Sequence, residues 1–189
     1  MAEGLSSEPK IPWDELRVER FRENADVRAF DCGNKDLNEF LTTNQVANYE
    51  SYLLGKTYLV YWQEGGRLVA YFTISSQSLR IEHFRSVKSF SIPGEIRVNA
   101  IPGVLIGRLA VHKDLKRRDI GSHVLRYIAG HVLDAHAAAR ILFLEAYKES
   151  IEFYQAFHFE FVDRVKPTSR GNRLMYYDLM NHPERERAQ

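Results

Sequence analysis

An apolar run, Val104 to Val111, ends in a charged turn, His112 to Arg118, and the turn opens directly onto a helical repeat beginning near Asp119. A short apolar run closed by turn chemistry reads as a buried strand. In the repeat, Ile120, Val124, Tyr127, Ile128 and Val132, with Leu125 alongside, recur at i and i+4 and predict a helix to about Ala138. A strand handing over to a helix through a tight turn points to an α/β layer architecture. The junction also carries chemistry. Backbone N–H groups at a helix start lack intrahelical partners and carry the positive end of the dipole, so phosphate is the natural occupant. Between Arg108 and Arg126, Arg108, Lys113, Lys116, Arg117, Arg118 and Arg126 stand against Asp114 and Asp119 alone, a local excess of +4 in a chain of net charge +1.

The flanking sequence supplies more of the same layers. Leu16 to Arg22 alternates loosely as a first strand, and Asp31-Cys32-Gly33-Asn34 offers capping chemistry before a helix of about four turns from Lys35, with Leu37, Phe40, Leu41, Asn44 and Ala47 at helical spacing. Thr57 to Trp62 and Leu68 to Ser75, rich in β-branched and aromatic residues, flank Glu64-Gly65-Gly66 as a hairpin. Gln77 to Ala100 is patternless apart from a short helix near Glu82. Beyond the central junction come a strand Ile141 to Ala146, a helix Glu149 to Phe157, and strands Glu160 to Val165 and Arg173 to Leu179.

A chain of 189 residues, 44% hydrophobic and 27% charged, can bury one core without staples, so a single domain over 16–180 is expected between a flexible segment 1–15 and a tail 181–189. One cysteine, Cys32, excludes an internal disulfide and fits a reducing compartment, the cytoplasm. No run is apolar enough for a spanning helix, and the start has no signal-peptide order, so no membrane partner is expected. The histidines show no ligand spacing for a metal. The local +4 at a helix start suits a nucleotide-bearing cofactor better than a long nucleic acid, and the near-neutral total tells against a large polyanion.

The loop Lys116-Arg117-Arg118-Asp119-Ile120-Gly121-Ser122, the preceding Gly107-Arg108-Leu109-Ala110-Val111 and the downstream Phe153-Tyr154-Gln155-Ala156-Phe157-His158-Phe159 together resemble the GNAT N-acetyltransferases. Phe30 to Leu41 and Ile106 to Val111 are most similar to the subgroup containing tRNA-acetylating toxins of toxin-antitoxin pairs. The resemblance implies a GNAT fold, a mixed and splayed sheet of six to seven strands flanked by helices. It implies acetyl-CoA as cosubstrate, held by the backbone of Leu109, Ala110 and Val111 and by the loop Lys116, Arg117, Arg118, Asp119, Ile120, Gly121 and Ser122. An N–H near Val111 would polarise the thioester oxygen. It implies Tyr154 as the acid for the departing thiolate, with Glu145 as base, directly or through water. The acceptor it implies is an amine: the amino group of an aminoacyl-tRNA, with an antitoxin protein as further partner, or a protein or small-molecule amine. A homodimer and a non-catalytic acyl-CoA-binding module stay open.

Three positions depart from the pattern: Asp119 at the loop's first glycine, Tyr147 at a frequent asparagine, and His158 at the last glycine. Asp119 reads as an N-cap that competes for the phosphate amides, with Lys116, Arg117 and Arg118 at hand to neutralise it. Taken singly, Tyr154 also reads as a core tyrosine and Glu145 as a salt-bridged strand end. Cys32 reads as structural, although a helix start favours thiolate, and the loop Lys166 to Arg173 as a solvated hairpin loop able to touch a nucleic-acid backbone.

Overall fold

The computed structural model describes residues 9–84, 87–135, 137–162, 165–183 and 185. In chain order these form β1 (Leu16–Arg20), α1 (Lys35–Thr42), α2 (Gln45–Ser51), β2 (Lys56–Trp62), β3 (Arg67–Arg80), β4 (Ala100–Val111), α3 (Ile120–Leu133), β5 (Ile141–Ala146), α4 (Ile151–Ala156), β6 (Glu160–Phe161) and β7 (Arg173–Asp178). The strands make one seven-stranded sheet in the order β1-β2-β3-β4-β5-β7-β6. β4 and β5 run parallel, whereas β1 with β2, β2 with β3, and β7 with both β5 and β6 are antiparallel. This is the mixed α/β sheet that the sequence implies. No described helix is long and apolar enough to cross a membrane.

The described residues group into two compact units. The first comprises those of Met1–Ile74 and Arg108–Arg126. Here Asn34 caps α1, its side chain accepting from Leu37 N at 3.2 Å, and Gly33 takes φ +80° so that Asp31 Oδ1 can accept from its N–H at 2.8 Å. Asn38 closes the turn, donating to Asp31 Oδ1 at 2.7 Å and accepting from Cys32 N at 2.9 Å. α1 buries Leu37, Phe40 and Leu41. Under it, the fully buried Tyr71 donates its hydroxyl to Leu37 O at 2.7 Å, a bond worth roughly 1 kcal/mol net. Thr57 and Thr73 pair their hydroxyls at 2.8 Å across β2 and β3, satisfying two buried polar groups at once.

The second unit comprises the described residues of Ser75–Gly107 and Tyr127–Gln189. Its core gathers Phe84, Phe90, Ile101, Ile141, Phe143, Val162 and Tyr176. Arg140 anchors one side with a two-pronged ion pair to the buried Asp178, at 2.7 and 2.8 Å. Gly103 sits where β5 approaches closely: a Cβ there would lie 2.6 Å from Ile141 Cγ1 and 2.7 Å from Ile141 O.

Several elements differ from the sequence reading. The helix expected to run four turns from Lys35 is two helices. Thr42 and Thr43 turn their hydroxyls back onto Asn38 O and Glu39 O at 2.8 and 2.7 Å, and the backbone becomes extended at Thr43. β3 continues to Arg80 through a mostly exposed stretch that shows no apolar alternation, and β4 begins at Ala100 despite Pro102 and Gly103. α3 stops at Leu133, because no large apolar side chain follows to bury until Ile141. β6 is only two residues long; of its expected span, Asp163 and Arg164 lie outside the described residues. At the ends, residues 1–8, 184 and 186–189 also lie outside them. Within the segment 1–15, Ile11 is 1% exposed and Trp13–Glu15 form a 3-10 turn. In the expected tail, His182 is buried, its Nδ1 3.1 Å from Tyr177 Oη.

Candidate active site

The ladder between β4 and β5 joins Gly103, Val104 and Leu105 to Ile141, Leu142 and Phe143, so Leu109, Ala110 and Val111 lie beyond its last rung. Ala110 is buried, and Leu109 and Val111 are half-buried. Immediately after the strand, His112 N donates to Val69 O and Lys113 N to Asp31 O, both at 2.8 Å. Those two N–H groups are therefore engaged within the protein.

The cations of this stretch have different partners. Arg108 lies over the Phe40 ring, 4.1 Å from its centroid. Lys113 pairs with Asp31 at 2.8 Å, which holds the Asp31 carboxyl well below the usual carboxylate range, with the Gly33 N–H and Asn38 adding to the effect. Arg118 donates from Nε to Pro9 O at 2.7 Å and stacks 5.1 Å from the Trp62 ring centre. Lys116 and Arg117 remain exposed.

The loop backbone is more telling than its charges. Arg117 and Asp119 both take φ +64°, the left-handed region that costs an L-residue about 1–2 kcal/mol. A turn that includes left-handed residues is one way in which backbone N–H groups are gathered into an anion-binding concavity. His158 also has φ +64°. Thus both positions where this chain replaces a glycine of the GNAT pattern keep the backbone that glycine adopts freely. The side chain changed and the path did not. With α3 starting at Ile120 and exposed cations beside the curl, these residues fit a pyrophosphate.

Asp119 makes its ion pair with a residue distant in sequence. Its carboxylate lies 2.6 Å from Lys10 Nζ, and this hydrogen bond is the chief reason its carboxyl stays below the usual range. Its carbonyl accepts from His123 N at 3.0 Å and so begins the α3 ladder. Ile120 is buried, while Gly121 and Ser122 are half-buried in the first turn. Nothing in the sequence marked Lys10, since only the fold brings it to the loop.

The acid and base candidates lie in the second unit. Tyr154 is buried on α4, with Phe153 and Phe159 rings 5.1 and 5.6 Å from its own. Burial pushes its phenol far above the usual tyrosine range, and Tyr147 adds to the shift. It is therefore protonated at neutral pH, as an acid must be before it donates. Glu145 is exposed on β5, accepting from Asn172 Nδ2 at 3.2 Å. Cys32 departs from the thiolate tendency of a helix start. It is buried, its Sγ lies 3.1 Å from Asn38 Oδ1, and desolvation raises its pKa. Among the described residues, no group of three or more histidine, cysteine or acidic side chains is placed to hold a metal ion.

Residues 15–159 match the model of the Acetyltransferase (GNAT) family. A tRNA-acetylating toxin of Mycobacterium tuberculosis (strain ATCC 25618 / H37Rv) is 29% identical over 155 residues, covering 79% of this chain and 84% of that protein. Among solved structures, AtaT complexed with acetyl-methionyl-tRNAfMet superposes with a TM-score of 0.71 at 23% identity, over 87% of this chain and 95% of that one. A variant of the AtaT toxin bound to the C-terminus of the antitoxin AtaR and acetyl-CoA gives 0.65 at 22% identity, over 88% and 95%.

Proposed function

The chain belongs to the acetyltransferase (GNAT) family, and from that premise we propose that it acetylates the amino group of an aminoacyl-tRNA and works in the cytoplasm with an antitoxin protein as partner. Acetyl-CoA, when bound, supplies an activated acyl group as a thioester. Lys116, Arg117 and the backbone from Arg118 to Ser122 hold its pyrophosphate, and the strand end Leu109 to Val111 aligns its pantetheine arm. The observation that carries the coenzyme reading is the left-handed pair Arg117 and Asp119 at the start of α3. The acceptor reading is supported by the likeness to a tRNA-acetylating toxin across most of both chains.

In this reading the neutral amine forms the C–N bond as the C–S bond breaks. Tyr154 Oη gives its proton to the departing sulfur, and Glu145 takes the proton shed by the amine, directly or through water. Asn172 orients Glu145 through the hydrogen bond already described.

The test is transfer of labelled acetyl from acetyl-CoA to purified aminoacyl-tRNA, run beside free amino acids and a peptide amine. Label should enter the aminoacyl-tRNA. Tyr154→Phe should lower the rate by about 10²- to 10⁴-fold while leaving acetyl-CoA affinity within about twofold. Label only in the peptide or the free amino acid would reject the acceptor, and an unimpaired Tyr154→Phe would reject the acid.

A further inference from the structure

The chain segment before β1 lies against the loop that opens α3. Arg118 Nε donates to Pro9 O at 2.7 Å, and Ile11 N donates to Arg118 O at 3.1 Å. The Ile11 side chain is buried, and the Trp13 ring lies 5.9 Å from that of His123 in the first turn of α3. Lys10 is thus flanked by two hydrogen bonds to Arg118, one from its side chain and one to its carbonyl, with Lys10 Nζ on Asp119 Oδ2 at 2.6 Å.

A carboxylate at this point opposes a phosphate twice over. It repels the anion directly, and it weakens the favourable end of the helix dipole. The sequence offers Lys116, Arg117 and Arg118 as counter-charges, yet Arg118 is turned onto Pro9 and Trp62, and the ion pair of Asp119 goes to Lys10 instead.

We propose that Lys10 is a positioning residue for coenzyme binding, acting through Asp119: it cancels that carboxylate at the phosphate loop, so the loop is completed by a segment far earlier in the sequence. The inference rests on the acetyl-CoA reading. It adds to that reading a residue outside the family motif and a reason why aspartate is tolerated in place of glycine.

A double-mutant cycle by titration calorimetry tests it, using the full chain, acetyl-CoA, and the variants Lys10→Ala, Asp119→Gly and the two combined. At low ionic strength Lys10→Ala should weaken acetyl-CoA binding about three- to tenfold, and the loss should shrink in 0.5 M salt, where exposed charges are screened. In the Asp119→Gly background the same substitution should cost less than about twofold, because no carboxylate is left to cancel. Melting curves verify that each variant is folded. Binding by the unaltered chain with no loss in Lys10→Ala would overturn this inference alone. Equal losses in both backgrounds would overturn charge cancellation, and no binding by the unaltered chain would overturn the coenzyme reading as well.

Discussion

Leu53 adopts φ +55°, and it does so at 89% exposure. It follows α2, where Leu54 N reaches back to Tyr49 O at 3.0 Å and Leu53 N to Glu50 O at 3.1 Å, the closing pattern that glycine normally completes. The strain has no compensating burial at that side chain. Leu53→Gly should therefore raise stability by about 1 kcal/mol, a rise in Tm of roughly 2–4 °C, and a melting curve shifted downward would contradict this. Asp119 and His158 are different: they share the left-handed backbone but lie in stretches that resemble a functional family. Residue identity alone separated them from the GNAT pattern. Backbone conformation, which no residue type states outright, joins them to it. The Lys10–Asp119 pair was illegible for a simpler reason, since an ion pair between distant segments exists only after the chain has folded.

Elements were legible in proportion to how much apolar surface they bury. β5 agrees with the sequence reading to the residue, because Ile141, Leu142, Phe143 and Leu144 are all buried between layers. The far half of β3 was missed because strand pairing there needs no apolar face. The start of β4 lies before the apolar run, across Pro102 and Gly103, residue types that are uncommon inside strands. Gly103 in fact permits the contact that ends in the β5 ladder. Gly103→Ala should force Ile141 and its carbonyl aside and cost about 1–3 kcal/mol. Chemical denaturation measures this, and a midpoint equal to that of the unaltered chain would refute the close-approach account. The split of α1 from α2 escaped notice because helical spacing persists across it, while two threonine hydroxyls decide the break.

For the molecule as a whole, the net charge of +1 is an average over paired groups. Asp31 is depressed by Lys113, Asp26 by Arg28 and Asp119 by Lys10, all at or near the surface. A carboxyl whose folded pKa lies below its unfolded one stabilises the fold above the unfolded value near 4, and that contribution is lost as pH falls toward the folded value. Thermal stability should therefore drop below about pH 4. Asp31→Asn should flatten the decline measured by melts between pH 5 and 2, and an unchanged slope would argue against the Asp31–Lys113 pair. The same average hid which cations face the loop, because Arg108 and Arg118 spend their charge over aromatic rings. The likeness to a tRNA-acetylating toxin thus stands beside a charge balance that by itself favoured a smaller anion.

Among the described residues, the first and last strands in the sheet order are β1 and β6. β6 has two residues, and β1 has five, with Arg17 and Glu19 joined in an ion pair and Arg20 bound to Glu50. A newcomer strand on the β1 rim would meet charge that docking would strip of water. Addition of a further strand along the β1 rim is thereby opposed, a safeguard that owes nothing to the phosphate loop.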